Sequence, residues 1–160
     1  MPDTVSYAER LKVLRSDKLE GGKPAFALAI AWCSILLGAV SGLVLGLWSF
    51  GGPFPTPEWI GPYDALPRRF LRLAHVALFA LGMLHLMVFR QISATPTSRA
   101  ADRLALRAMA FGNIAMPLAL VSAAWWEPLK YVTPLPALSL TAAFAVAAVG
   151  AIRHSMGGSR

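Results

Sequence analysis

Four long apolar stretches restrict what this chain of 160 residues can fold into more than any other feature. They run from Pro24 to Phe50, from Phe70 to Phe89, from Leu104 to Trp126 and from Leu135 to Ile152. A helix rises about 1.5 Å per residue, so about 20 residues cross the roughly 30 Å hydrocarbon core of a bilayer. Backbone polar groups find no water there, and the stretches lack the alternation of a barrel strand, so each one predicts a membrane-spanning helix.

The charge of the chain is concentrated between these stretches. Charged residues make up 14% of the sequence and the formal net charge is +7. In a soluble domain this charge would indicate nucleic acid, but basic residues that flank apolar stretches indicate membrane topology instead, and we expect no nucleic-acid partner. The single cysteine, Cys33, lies inside the first stretch, which excludes a disulfide framework or a cage of cysteine metal ligands.

The distribution of Lys and Arg predicts the orientation. Eleven lie in or near the two tails and the link between the second and third spans, whereas four (Arg68, Arg69, Arg72 and Lys130) lie in or near the other two links. An even number of spans places the first three segments on one side, and the positive-inside rule makes that side cytoplasmic. The predicted fold is therefore an all-α, integral membrane four-helix bundle of the bacterial inner membrane, with both termini cytoplasmic. The predicted segments are a cytoplasmic tail (1–23), span one (24–50), an outer loop (51–67), span two (68–90), a cytoplasmic link (91–102), span three (103–126), an outer link (127–134), span four (135–153) and a cytoplasmic tail (154–160).

Two segments outside the spans have patterns of their own. Ser6 and Glu9 have the spacing of a capping box, which predicts a short amphipathic helix over 6–16 on the cytoplasmic membrane surface; the alternative is a tail that only a partner orders. The outer loop contains five prolines and three glycines. It is predicted to be irregular, and it either connects two spans, covers the mouth of the bundle or docks a partner.

Small residues at intervals of four predict helix-packing interfaces. In lipid, small side chains let two helices approach closely, and this contact holds them together. The neighbour is another span, a second copy of the chain or another protein. The interface residues are Ser34, Gly38, Gly42 and Gly46 on span one and, as a weaker stripe, Ala143, Ala147 and Ala151 on span four.

Span two begins with a basic rim above a histidine. Arg68, Arg72 and His75 share one helix face, and Asp64 is placed to pair with Arg68 four residues later. This face suits an anion with an apolar body: a lipid phosphate, a quinone headgroup, or a haem b with its propionates on the arginines and His75 as axial ligand. In the alternative, the arginines extend to lipid headgroups and His75 bonds a carbonyl of a neighbouring helix.

Other polar residues lie deeper in the spans. His85 is ten residues beyond His75, and a second haem site would need His154 from the end of span four. Asn113 precedes Pro117 by four residues, which predicts a kink in span three because proline cannot donate to the Asn113 carbonyl. The depths of His85 and Asn113 differ by about one turn, so we expect them to be within reach of a hydrogen bond.

The chain carries no nucleophile and base motif, nucleotide-binding loop or pair of carboxylates within a span, and we expect no catalysis. The first hypothesis is a non-catalytic accessory subunit of a membrane complex, with other membrane subunits or a second copy, and anionic lipids, as partners. The segment 63–89 is similar to the histidine-bearing spans of respiratory membrane proteins, which favours an electron-transport setting. The alternatives are a carrier of haem b or quinone that uses His75 with Arg68 and Arg72, and a small channel or transporter centred on Asn113 and Pro117.

Overall fold

The computed structural model describes residues 7–49 and 51–157, with side chains described from residue 25 onward. In this part of the chain every element of regular secondary structure is a helix. The helices are α1 (Tyr7–Gly46), α2 (Leu66–Ala94), α3 (Arg99–Trp125) and α4 (Pro134–Gly157), and a short 3-10 helix, Glu127–Val132, connects α3 to α4. All four α-helices contain a segment long and apolar enough to cross a membrane, as expected for a multi-pass membrane protein.

The helix ends follow local chemistry. Pro67 lies in the first turn of α2, where a backbone N–H has no partner within the helix and proline is therefore tolerated. The helix begins at Leu66, two residues before the predicted start. Pro96 ends α2, and the Ser98 hydroxyl accepts a hydrogen bond from the Ala101 N–H at the start of α3. The link between α2 and α3 therefore leaves only 95–98 outside helices, fewer residues than predicted.

The predicted helix over 6–16 is not a separate element where the structure describes it. Residue 6 and the side chains of 7–16 lie outside the described part. The backbone of α1 is continuous from Tyr7 to Gly46, so the chain enters the first span without a break.

Neighbouring helices pack antiparallel in chain order, α1 on α2, α2 on α3 and α3 on α4. Residue 25 and residue 157 consequently lie at the same end as residues 95–98, which we call the link end; residues 51–65 lie at the opposite, loop end. The core between α2, α3 and α4 is apolar and includes Met109, Leu140 and Ala143.

The loop over 51–65 is irregular, as predicted, and it folds back onto the bundle. Ile60 is buried, and the ring of Trp59 stacks on that of Trp125 with centroids 4.3 Å apart. Gly51 and Gly61 have φ of 75° and 72°, a conformation that glycine adopts without steric cost. The loop thus covers part of the loop end, through contacts with the end of α3.

Candidate functional site

Two of the three glycines on the predicted α1 stripe lie against α2. A Cβ atom at Gly38 would lie 2.7 Å from the backbone nitrogen of Phe79, and one at Gly42 would lie 2.5 Å from Cε1 of His75. At Gly46 a Cβ atom would meet nothing within 4 Å, so the structure does not place this glycine in a helix contact. The close approach is therefore within the chain, and it stops short of Gly46 at the end of α1.

His75 fills the notch that Gly42 leaves. Its Nδ1 lies 2.8 Å from the carbonyl oxygen of Gly38 and 3.3 Å from the Ser41 hydroxyl. A carbonyl only accepts hydrogen bonds, so Nδ1 carries the hydrogen and donates it to α1. This is the contact expected if His75 serves packing, and it leaves Nε2 outside the bond to α1.

Deeper in the bundle, three polar side chains from three helices form a layer. The Ser34 hydroxyl lies 2.8 Å from the Leu78 carbonyl oxygen and 2.9 Å from Oδ1 of Asn113. Asn113 Nδ2 lies 3.3 Å from Nδ1 of His85, which is the contact predicted from the depths of the two residues. We call Ser34, Asn113 and His85 the polar layer. It joins α1, α2 and α3 at one depth.

His85 takes part in this layer through one of its two ring nitrogens. Nδ1 contacts the Asn113 amide, and Nε2 lies on the other side of the ring. That nitrogen is buried and has no hydrogen-bond partner in the described structure. His85 itself is 0% exposed. A polar atom left unpaired in an apolar core lowers stability, so the layer destabilises the fold at this atom while its hydrogen bonds stabilise it.

The structure does not bring His85 and His154 together. Gly150 of α4 lies against the backbone of Thr95, which sets the two helices in register. His85 is ten residues before Thr95 and His154 is four residues beyond Gly150, in opposite directions from this level. The two histidines are therefore roughly 20 Å apart along the bundle, too far to hold one haem.

At the loop end, Arg68 is 6% exposed and donates to the carbonyl oxygen of Trp48 and to the Ser49 hydroxyl. The predicted ion pair with Asp64 is absent, because α2 begins at Leu66 and Asp64 lies outside the helix. Among the described residues the one ion pair joins Lys130 to Glu127. The charge of Arg68 thus lies near main-chain and hydroxyl oxygens rather than near a carboxylate.

Arg68 and Arg72 both contact one aromatic ring. Their Cζ atoms lie 5.2 Å and 4.0 Å from the centroid of Tyr63, within the range of a cation–π interaction. We call Arg68, Arg72 and Tyr63 the guanidinium cluster. Sequence reasoning found the two arginines but missed Tyr63, because nothing in its position before the helix indicates that the loop returns over α2.

An apolar groove of about 440 Å³ runs between α1 and α3. Asn113 and Pro117 line it, so the part of α3 predicted to kink faces this groove; α3 itself is helical through Pro117. From α1 it is lined by residues that include Cys33 and Leu37. We call it the α1–α3 groove. It lies at the depth of the polar layer, since Ser34 also contributes to its wall.

The alanine stripe on α4 is only partly in contact with other helices. Ala143 is fully buried in the core and Ala147 packs against its edge. Ala151 is half-buried next to Gly150, whose missing side chain admits the carbonyl of Thr95.

Among the described side chains, residues 25–49 and 51–157, no three His, Cys, Asp or Glu are close enough to hold a metal ion together. No family model, curated protein or solved structure matches the chain.

Proposed function

We propose that this chain is a non-catalytic accessory subunit of a bacterial membrane complex. The observation that carries the proposal is how the embedded polar groups are used. Ser34, His75 and Asn113 each bond to another helix of the same chain, and these bonds are made even though Ser34 and Asn113 also reach the wall of the α1–α3 groove. Such bonds specify how helices pack, which suits a subunit that presents a fixed surface to its neighbours.

The α1–α3 groove supports the choice of a membrane subunit as partner. Its wall is apolar at mid-membrane depth, where a helix of another subunit can contact it by van der Waals packing. The electron-transport setting that we propose follows from the histidine-bearing segment 63–89.

The test uses the native Cys33, which lies in the groove wall. Cross-linking in membranes at native expression, followed by mass spectrometry, should join Cys33 to one defined membrane protein. Leu37→Trp should remove this cross-link by filling the groove. Leu43→Trp is the matched control, since Leu43 lies on the same helix, is 74% exposed and does not line the groove. Recovery of a solitary monomer after gentle solubilisation, without any cross-link, would contradict the proposal.

A second measurement separates the accessory role from an electron carrier. We expect the Soret band of haem incubated with the purified chain to stay at the position of free haem. A shifted Soret band that returns to the free position in His75→Ala would instead assign a haem to this chain, with Nε2 of His75 as its ligand, and would overturn the accessory role.

We further propose that both termini are cytoplasmic and that the membrane is the bacterial inner membrane. The excess of Lys and Arg in the tails and around residues 95–98 supports this orientation. In a Cys33→Ala background, a membrane-impermeant maleimide should label Glu58→Cys in intact spheroplasts. It should label Ala94→Cys only after the membrane is permeabilised, and the reverse pattern would refute the orientation.

A further inference from the structure

The guanidinium cluster carries more positive charge than its surroundings neutralise. Arg68, Arg69 and Arg72 lie in the first two turns of α2, and its first turn contains no acidic residue. No side chain caps this helix end, where the helix dipole adds further positive charge. Of the described residues, no carboxylate lies within 4 Å of any of the three guanidinium groups.

The cluster is also held in place. The Arg68 side chain is nearly buried and is bonded to the end of the preceding span, as described above. Arg72 is half-buried, and its guanidinium group lies over the Tyr63 ring. Two planar, positively charged groups on one ring form a preorganised receptor for a tetrahedral anion with several acceptor oxygens, such as a phosphate.

The depth of the cluster indicates where that phosphate comes from. Trp48, Trp59 and Trp125 lie at the same end of the bundle, and amphipathic aromatic side chains concentrate at the level of lipid headgroups. A phosphate at this level belongs to a phospholipid. We therefore infer that Arg68 and Arg72, positioned by Tyr63, bind the phosphate of an anionic phospholipid headgroup. This inference does not depend on the proposed accessory role.

The experiment is a titration of the purified full chain in detergent micelles with short-chain phosphatidylglycerol, read by native mass spectrometry. We expect Arg72→Gln to weaken binding about tenfold, the effect of losing one charge-assisted contact. Arg69→Gln is the matched control: it removes the same charge one residue from Arg68, at an exposed position outside the cluster. It should change affinity less than twofold.

Further arms distinguish the sources of the anion. Short-chain phosphatidylcholine should bind about tenfold more weakly than phosphatidylglycerol, because its headgroup carries no net negative charge. Inorganic phosphate at the same concentration should not displace the bound lipid. Displacement would assign the site to a free anion and would refute a phospholipid as its ligand.

Equal losses in Arg69→Gln and Arg72→Gln would also overturn the inference, since they would show a general effect of surface charge. Thermal midpoints of both variants establish that they are folded. If Arg72→Gln does not fold, Arg72→Lys keeps the charge without the planar fork and should still lose about threefold in affinity, whereas unchanged affinity would refute the site.

Discussion

The approach of α1 to α2 at Gly38 gives a prediction whose size follows from the structure. In Gly38→Ala the new Cβ atom would lie 2.7 Å from N and 2.9 Å from Cα of Phe79. Both are backbone atoms, so no rotamer change relieves the clash and the helices must separate. Overpacking of this kind costs about 1–3 kcal/mol, and the better helix propensity of alanine returns up to about 1 kcal/mol. We expect a net loss of about 1–2 kcal/mol.

The other two glycines of the stripe make this a graded series. At Gly42 the added Cβ atom would meet the His75 ring, which can move only by giving up its bond to Gly38, so Gly42→Ala should also be destabilising. Gly46→Ala is the control, because a Cβ atom there is in open space. It should be neutral or should gain up to about 1 kcal/mol.

The assay is unfolding of the purified chain in mixed micelles by increasing sodium dodecyl sulfate, followed by tryptophan fluorescence. The order of stability should be Gly46→Ala highest, then wild type, then Gly42→Ala and Gly38→Ala. If Gly38→Ala were as stable as Gly46→Ala, the helices would not approach at Gly38. The register of α1 on α2 would then be wrong.

Three further changes test the polar layer and the loop end. A double-mutant cycle of Ser34→Ala and Asn113→Ala should give a coupling free energy of about 0.6 kcal/mol, the average for hydrogen bonds between membrane helices. A coupling of zero would show that the two side chains do not stabilise each other. Trp59→Leu should lower the thermal midpoint through the loss of ring stacking on α3, worth about 0.5–1.5 kcal/mol, and an unchanged midpoint would show that the stack does not hold the loop. Arg68→Met should lower the free energy of unfolding by about 1–3 kcal/mol because the Trp48 carbonyl loses its donor, whereas Arg69→Met should change it by less than about 0.5 kcal/mol; equal effects would contradict the burial of Arg68.

The contact between Asn113 and His85 could be predicted because helix geometry converts sequence position into depth. Two antiparallel spans have a fixed rise per residue, so residues at similar distances from the same end lie at similar levels. The four spans could be predicted for a related reason, since the thickness of the bilayer sets a minimum length that apolar stretches either reach or do not.

The partner of Arg68 could not be predicted in the same way. The expected pair with Asp64 assumed that the helix continues to residue 64, but the backbone turns before Leu66 and takes the carboxylate off the helix face. Its actual partner, the Trp48 carbonyl, is 20 residues away and is a backbone atom. Backbone acceptors have no sequence pattern, so only the fold of the loop reveals this contact.

Ser34 was predicted only as a small residue in a helix contact, but in the structure its hydroxyl also contacts two other helices. Its size and spacing predict close packing, and it does lie between helices. The same position also lets its hydroxyl reach the Leu78 carbonyl and Asn113, which belong to two other helices. Small size permits the approach and the hydroxyl specifies its register, and a single sequence does not separate these two contributions.

The hydrogen bonds between helices are concentrated around α1, the helix that forms one wall of the α1–α3 groove. The hydrogen bonds of Arg68, His75 and Ser34 all connect α1, or the residues directly after it, to α2 and α3. Among the described residues, no side-chain hydrogen bond joins α3 to α4, and there Gly112 admits Leu140. The span in α1 is also the least buried of the four. Directional bonds fix the rotation of a helix more strictly than apolar contacts do, because a small rotation breaks them. The rotation of α1 in turn determines that Cys33 and Leu37 line the α1–α3 groove. The bonds that α1 makes within the chain therefore set the surface that we propose a partner subunit contacts.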